Sequence, residues 1–399
     1  MAYIDKSSQW FVAKETAYGD KAGWNNLDAN GAEVAPAATD FVELINPSMD
    51  ASTEMIDREV LKNSMVMAQP LLGKETSSGS AEVELSTTTG VAGSKVVNGD
   101  LLYESAFGKK IGDVAESAGT IASGVITFTS ATDADNYTVG QAVKVSGGAG
   151  GAQYAVVRSI VAGTSMTVAP APADDHTAFA GLVSFVIANP DAPQISLAVQ
   201  EYFEGASQSV YTYGGVVASD VTVSFPVANI VKANFSLAGA GFDVANDGNG
   251  TDTVAIRASQ CVELDPYVAK NMTFTYGGNS YDIENLEVKV GSDIYDTEAL
   301  TTDGLTNKTA TAKSDVSATF GLEYTGTGLF DIFQSGTSGE LFGTVSNANG
   351  TAIVYGPKVI LTEATKSVDS SIYKESVTAK FLSSGLACGT EDAITLGFE

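Results

Sequence analysis

The chain has 399 residues, a length that allows two or three domains, each with its own core. It is 44% hydrophobic and only 17% charged, and 48 acidic against 21 basic residues give a formal net charge of −27. Tight nucleic-acid binding requires basic side chains that neutralise phosphates, so this composition argues against it. An acidic wall would instead let a polyanion pass without sticking, although solubility alone also explains the charge.

Secretion and membrane insertion are not expected from the sequence. The two cysteines, Cys261 and Cys388, are too few for a disulfide framework, which favours synthesis in a reducing cytoplasm. Met1 to Gly19 has no apolar signal segment, and no run approaches the roughly 18 apolar residues of a membrane span. The sequence therefore predicts a protein without a membrane partner.

The abundance of Gly, Val, Thr and Ser predicts an all-β fold, in which many short strands alternate with turns. One short helix is predicted at Asn98–Lys109. Most predicted strands show the period-2 alternation of half-buried strands. In chain order they are Gln9–Lys14, Thr39–Ile45, Ala81–Ser86, Gly124–Ser130, Gln141–Ser146, Ala155–Val161, Ser165–Val168, Gln194–Glu201, Ser219–Phe225, Lys232–Ala238, Ile283–Val290, Ala318–Tyr324, Ala352–Leu361 and Tyr373–Leu382.

Two weak echoes, in the same order in both halves, indicate an internal duplication. Ser78–Leu85 recurs in type at Ser314–Leu322. Further on, Tyr213 leads to Val231–Leu237, and the counterpart is Tyr355 leading to Val377–Leu382. The sequence therefore predicts two related β domains.

The spacing between the echoes locates an insertion in the first half. The distance from Leu85 to Tyr213 exceeds that from Leu322 to Tyr355 by about 95 residues, roughly one small domain. We therefore predict a first domain at 1–111 plus 191–242, an inserted β domain at 112–190, and a second domain at 253–399.

The residues give no support for catalysis, a metal or a cofactor. The single histidine, His176, lies in an Asp-rich stretch and is interpreted as a loop residue without a catalytic role. The acidic turn Asp243–Asp252 has the alternating oxygens of a calcium loop but lacks its bidentate Glu, so a linker is favoured over a calcium site. No nucleophile elbow or phosphate-binding loop is present.

Three segments follow one another in a recognisable order. They are Lys14–Gly19, Pro70–Ser80 before a strand, and Tyr213–Gly215 followed by Val221–Pro226 and Ile230–Ser236. In this order they resemble the entry segment, post-loop strand and closing β-hairpin of the major tail tube proteins of long-tailed bacteriophages. The resemblance covers Ser8 to Ser383 except for the inserted domain.

This resemblance implies two tandem β-sandwich domains of the tail-tube type, with the inserted β domain on the exterior. Strands of neighbouring chains would join into a continuous inner β-barrel, and the rings would stack into a tube through which DNA passes without tight binding. Three two-domain chains would complete a ring of pseudo-six-fold symmetry, and a hexamer is the alternative. The expected location is the virion tail, assembled in the host cytoplasm together with other tail proteins.

Two groups of residues are candidates for roles in such a tube. Glu82, Glu84 and Glu323 are expected to face the lumen and to repel DNA. The long polar segment Asn46–Gln69 is the candidate ring-stacking loop, because methionine suits surfaces that repack on assembly; a solvent-exposed helix or loop within the domain is the alternative. Its methionines are Met49, Met55, Met65 and Met67.

Other functions are also compatible with the sequence. An acidic surface-layer or adhesin-type protein built from β modules is the main alternative, followed by another virion part such as a capsid decoration protein or a tail terminator. A carbohydrate-active or metal-dependent enzyme is disfavoured, since the sequence offers no catalytic constellation.

Overall fold

The computed structural model describes residues 8–15, 41–56, 71–89, 95–173, 175–187, 195–203, 209–246, 266–270, 272–297, 307–323, 328–347, 350–369, 372–383 and 393–399. Within these residues the fold is nearly all β, with two short α-helices, which confirms the predicted fold class. Neither helix is long and apolar enough to cross a membrane.

The elements of the first half are, in chain order, β1 (Ser8–Lys14), β2 (Phe41–Val42), β3 (Ser48–Ile56), β4 (Leu71–Glu84), β5 (Thr87–Thr89), β6 (Lys95–Val97), α1 (Asp100–Phe107), β7 (Gly108–Ile111), β8 (Val114–Ala122), β9 (Val125–Phe128), β10 (Ala142–Ser146), β11 (Gln153–Val161), β12 (Ser165–Ala169), β13 (Ala178–Gly181), β14 (Val183–Ile187), β15 (Leu197–Phe203), β16 (Ser209–Pro226), β17 (Lys232–Gly239) and β18 (Gly241–Asn246).

The elements of the second half are β19 (Thr273–Tyr276), β20 (Asn279–Ser280), β21 (Ile283–Thr297), β22 (Asn307–Glu323), α2 (Gly328–Ser335), β23 (Gly339–Ser346), β24 (Thr351–Asp369), β25 (Ile372–Phe381) and β26 (Thr395–Phe398). All strand pairings described below are antiparallel.

Nine elements occur twice in the same order and with the same pairing. In the first unit, β2-β1-β15-β16-β18 form one sheet and β3-β4-β17-β16 form another, with the long strand β16 shared between them. In the second unit, β20-β19-β23-β24-β26 and β21-β22-β25-β24 repeat this pattern, with β24 shared. The helices α1 and α2 occupy equivalent places before β15 and β23. The topology is therefore a tandem repeat.

Several β-bulges recur at matching positions, and two of them in the shared long strands fix the alignment of the repeat. Irregularities between Leu197 and Val199 and between Ala218 and Asp220 in the first unit correspond to those at Gly339/Leu341 and Leu361/Glu363 in the second. A bulge inserts one residue and bends the strand, which lets a single long strand serve two sheets.

This alignment differs from the one that the sequence suggested for the last repeated segment. The sequence aligned Val231–Leu237 with Val377–Leu382, which places Lys232 at Thr378. The bulges instead align Lys232 with Lys374, four residues earlier. Because side chains alternate with a period of two, a shift by four residues preserves the hydrophobic pattern, and sequence alternation alone cannot detect it.

An apolar core fills the space between the sheets of each unit. Tyr103 on α1 lies at its centre in the first unit, with ring centroids 4.9 Å from Phe235, 5.2 Å from Phe185 and 5.9 Å from Phe398. The predicted helix is shorter than expected, because Gly99 and Gly108 have the left-handed φ angles of 73° and 90° and bound it on both sides.

The inserted residues form a closed six-stranded barrel, β8-β9-β12-β11-β10-β13, with its own core. Its strands lie at 114–181, within the predicted range of 112–190. The flanking strands β7 and β14 pair with each other, and β14 also pairs with β26 of the second unit. The barrel is thus inserted in the first unit but attached to the second.

Several contacts fasten the barrel to the second unit. Ala142, Val156 and Leu182 pack against Ile353 and Tyr355. The carboxylate of Glu399 accepts hydrogen bonds from Lys144 Nζ and Tyr154 Oη, both at 2.6 Å. Apolar contact and charge-assisted hydrogen bonds together favour one orientation of the barrel.

Two buried tyrosines provide a matched test of how hydrogen bonding of buried hydroxyl groups affects the stability of the fold. Tyr103 Oη is buried without a hydrogen-bond partner, whereas Tyr267 Oη lies 3.1 Å from Thr87 Oγ1. A buried hydroxyl group without a hydrogen-bond partner lowers the stability of the folded state, whereas a hydrogen-bonded one raises it. We expect Tyr103→Phe to raise the free energy of unfolding by about 1 kcal/mol and Tyr267→Phe to lower it by a similar amount, measured by denaturant unfolding. A loss of stability in Tyr103→Phe would contradict this description of the core.

Candidate assembly interface

The two units share one sheet through the pairing of β16 with β21, which we call the seam. Seven residue pairs form it, from Asp220 opposite Gly291 to Pro226 opposite Asn285. The result is an eight-stranded sheet with the order β3-β4-β17-β16-β21-β22-β25-β24.

The inner side of the seam is apolar. Val223 lies opposite Val288 and Phe225 opposite Leu286, and all four side chains are at most 3% exposed. They belong to one hydrophobic cluster that spans both units. Since burial of such side chains is favourable by about 1.5–3 kcal/mol each, the seam is a permanent part of the fold.

The eight-stranded sheet ends in two open edges, and they are complementary. Within the described residues, β3 pairs only with β4, and 363–369 of β24 pair only with β25. In the repeat, β3 is equivalent to β21 and β24 is equivalent to β16, the two strands that meet at the seam. The two edges therefore have the topology of an interrupted seam, and their backbone groups can accept a further strand.

The two faces of this sheet differ in character. Apolar side chains such as Val83 and Phe235 point into the core, and polar side chains alternate with them on the opposite side, which we call the polar face. Glu82 and Glu84 both lie on the polar face and are half-buried. Glu323 ends β22 opposite Lys374, and its side chain lies outside the described residues.

Four described lysines of the polar face have an acidic partner. The pairs are Lys232–Glu82 at 2.8 Å, Lys380–Asp315 at 2.8 Å, Lys374–Glu284 at 3.0 Å and Lys289–Asp220 at 3.8 Å, the last across the seam. Further carboxylates, those of Asp50, Glu84, Glu287 and Glu363, alternate with inward-facing residues on the same strands. With these four lysines paired, the described part of the polar face carries a net negative charge.

Part of the predicted stacking loop is a strand. Met49 and Met55 lie in β3 and not in a loop, and their role in ring stacking stays a prediction. Met49 is buried beneath the sheet, and Met55 is 60% exposed. Their strand is polar without clear alternation, so period-2 analysis did not find it. Met65 and Met67 lie outside the described residues.

The described residues considered for metal or acid–base chemistry do not assemble into a site. His176 is 1% exposed, and its Nδ1 accepts a hydrogen bond from the Gly148 N–H at 3.1 Å, which orders two loops of the barrel. In the described part of the chain, no three His, Cys, Asp or Glu residues could together hold a metal ion. Of the candidate calcium turn, 243–246 form part of β18, and 247–252 lie outside the described residues.

One carboxylate beside the β24 edge is buried. Glu375 is 2% exposed, and its Oε1 has no hydrogen-bond partner. Burial raises the pKa of Glu375 above its ordinary value of 4.5, while the nearby Lys366 opposes the rise. The folded chain therefore keeps this proton to a higher pH than the unfolded chain does.

The pH dependence of stability follows from that raised pKa. As the pH rises from about 4.5 through the folded-state pKa, Glu375 releases its proton at a cost in the folded state, so stability falls. We expect Glu375→Gln to be about 1 kcal/mol more stable than the wild type at pH 7, with the difference vanishing below about pH 4. Urea unfolding at both pH values measures this, and an equal difference at the two values would contradict it.

No protein-family model matches the chain, and no curated protein is similar to it in sequence.

Proposed function

We propose that the chain is the repeating subunit of a hollow tube of the bacteriophage tail type, through which DNA passes. In this proposal, the β24 edge of one copy pairs antiparallel with the β3 edge of the next. One observation supports it most strongly: the two open edges of the sheet are the counterparts of the two strands that already pair at the seam.

The repeat gives this pairing a specific register. Transfer of the seam register onto the equivalent strands sets Glu363 opposite Ser52, Lys366 opposite Met49 and Ser367 opposite Ser48. Polar residues then fall on the polar face and inward-facing residues on the core side, as at the seam.

Such an interface is heterologous, so a rotation that closes gives a ring. Three copies with eight strands each would form a barrel with a backbone diameter on the order of 40–50 Å, wider than a DNA double helix. The polar face would line the lumen, because sheets and helices already cover the apolar face. The inserted barrel, attached through β26 and the first residues of β24, would lie on the outside.

Disulfide trapping tests the register and the number of copies. In a background of Cys261→Ser and Cys388→Ser, the changes Ser48→Cys and Ser367→Cys place one thiol on each edge. We expect oxidation of assembled protein to give covalent dimers and trimers on a denaturing gel, with a ladder that stops at three chains.

The matched control combines Ser367→Cys with Ser52→Cys, four residues out of register on the same face. It should cross-link at least about tenfold more slowly, because antiparallel pairing fixes which residues are opposite. Cross-linking of the control alone would refute the register. A ladder that continues past three chains would refute the trimer.

Charge reversal tests the acidic lumen. The changes Glu84→Lys and Glu287→Lys alter two carboxylates of the polar face that are outside its described ion pairs with lysine. We expect assembled wild-type tubes to leave duplex DNA in the supernatant on sedimentation. The variant tubes should carry DNA into the pellet at about 50 mM salt and release it at about 500 mM, since such contacts are screened.

The control for this experiment is Glu116→Lys with Asp133→Lys, which makes the same change in net charge on the inserted barrel. Equal DNA retention by both variants would mean that DNA binds the exterior. No retention by either variant would count against a polar face that lines a DNA conduit.

A further inference from the structure

The seam and the open β24 edge differ at two inward-facing positions. At the seam, Val223 of β16 and Ala233 of β17 lie side by side, both at most 2% exposed. The equivalent pair in the second unit is Lys366 of β24 and Glu375 of β25. Two apolar residues at the permanent junction are thus replaced by two charged residues at the open edge.

The surroundings of Lys366 show how the edge accommodates the charge. Its Nζ lies 4.7 Å from the centre of the Phe330 ring on α2, and the side chain is exposed. Glu375 on β25, the cross-strand neighbour of Lys366, is nearly fully buried. The ammonium group thus remains in water at the margin of the core, in cation–π contact with Phe330 and close enough to Glu375 to influence its pKa.

A strand that covers this edge must take the ammonium group of Lys366 out of water. Native sheets use inward-pointing charges on edge strands in this way to discourage pairing with other chains. If two β24 edges paired with each other, two ammonium groups would come under one sheet. In contrast, β3 brings Met49, whose flexible thioether side chain can pack over the lysine stem.

We infer that Lys366 guards the β24 edge: it keeps the free chain from pairing through this edge and admits only the β3 edge of a second copy. This inference rests on the proposed tube for the identity of the partner. The edge protection itself rests on the position of Lys366, which is equivalent in the repeat to the buried Val223 of the seam.

The experiment compares three variants of the full chain. Lys366→Val installs the residue found at the seam, Lys366→Arg keeps the charge, and Thr365→Val adds the same apolar side chain at the adjacent, outward-facing position of the edge. Sedimentation velocity over a concentration series measures self-association, electron microscopy identifies the products, and circular dichroism checks folding.

We expect Lys366→Val to associate at about a tenfold lower concentration than the wild type, because burial of one valine strengthens association by about that factor. The other two variants should behave like the wild type.

The outcomes separate the inference from the proposed function. If Lys366→Val stays monomeric to the same concentration as the wild type, or if Thr365→Val associates as early, the guard role is overturned. If the wild type forms no rings at any concentration while Lys366→Val alone associates early, the tube is refuted and the edge protection stands. Ring formation by the wild type together with early association of Lys366→Val supports both.

Discussion

Every backbone N–H and C=O group at the margin of a β-sheet needs a hydrogen-bond partner, and this requirement governs the architecture of the chain. At the seam the requirement is met internally, because β16 and β21 belong to different units of one polypeptide. At β3 and at 363–369 of β24, the described residues supply one strand neighbour only. The two units meet where β16 of the first pairs with β21 of the second. Among the described residues, the open edges at β3 and at 363–369 of β24 are equivalent to these strands, so the same pairing can continue there.

The inserted barrel adds a second constraint on the relation between the units. Its chain enters and leaves through β7 and β14 of the first half, yet β14 pairs with β26 of the second unit. Glu399 connects all three parts, since its backbone oxygen accepts from Thr87 Oγ1 while its carboxylate accepts from the barrel. A rotation of one unit against the other would break this hydrogen-bond network as well as the seam. The inserted domain therefore stiffens the junction as well as adding mass to it.

The all-β class and many strand positions were predictable from the sequence, while register and edges were not. The alternation of apolar and polar residues in 232–238 is strong enough to predict β17. The glycines that flank the apolar residues of α1 are likewise recognisable in the sequence as helix ends. Strand β3 escaped prediction because SMDASTEMI carries polar residues on both faces of the strand. It lies at the edge of the sheet. The importance of Lys366 could not be read from its neighbours in sequence. Its importance follows from the strand register, in which Lys366 lies opposite Glu375, and from the bulges, which make it equivalent to Val223. These residues are distant in sequence, and period-2 patterns do not determine how they align.

The duplication also removes a restriction that symmetry imposes on simpler assemblies. A ring of identical single units has one kind of contact, so any substitution that strengthens it does so at every position around the ring. A chain with two units has two kinds of contact that can diverge independently. In the proposed ring, the contact within the chain has Val223 at the position where the contact between chains would have Lys366. The first contact would then become irreversible during folding, while the second would keep the balance between release and capture that an ordered assembly requires.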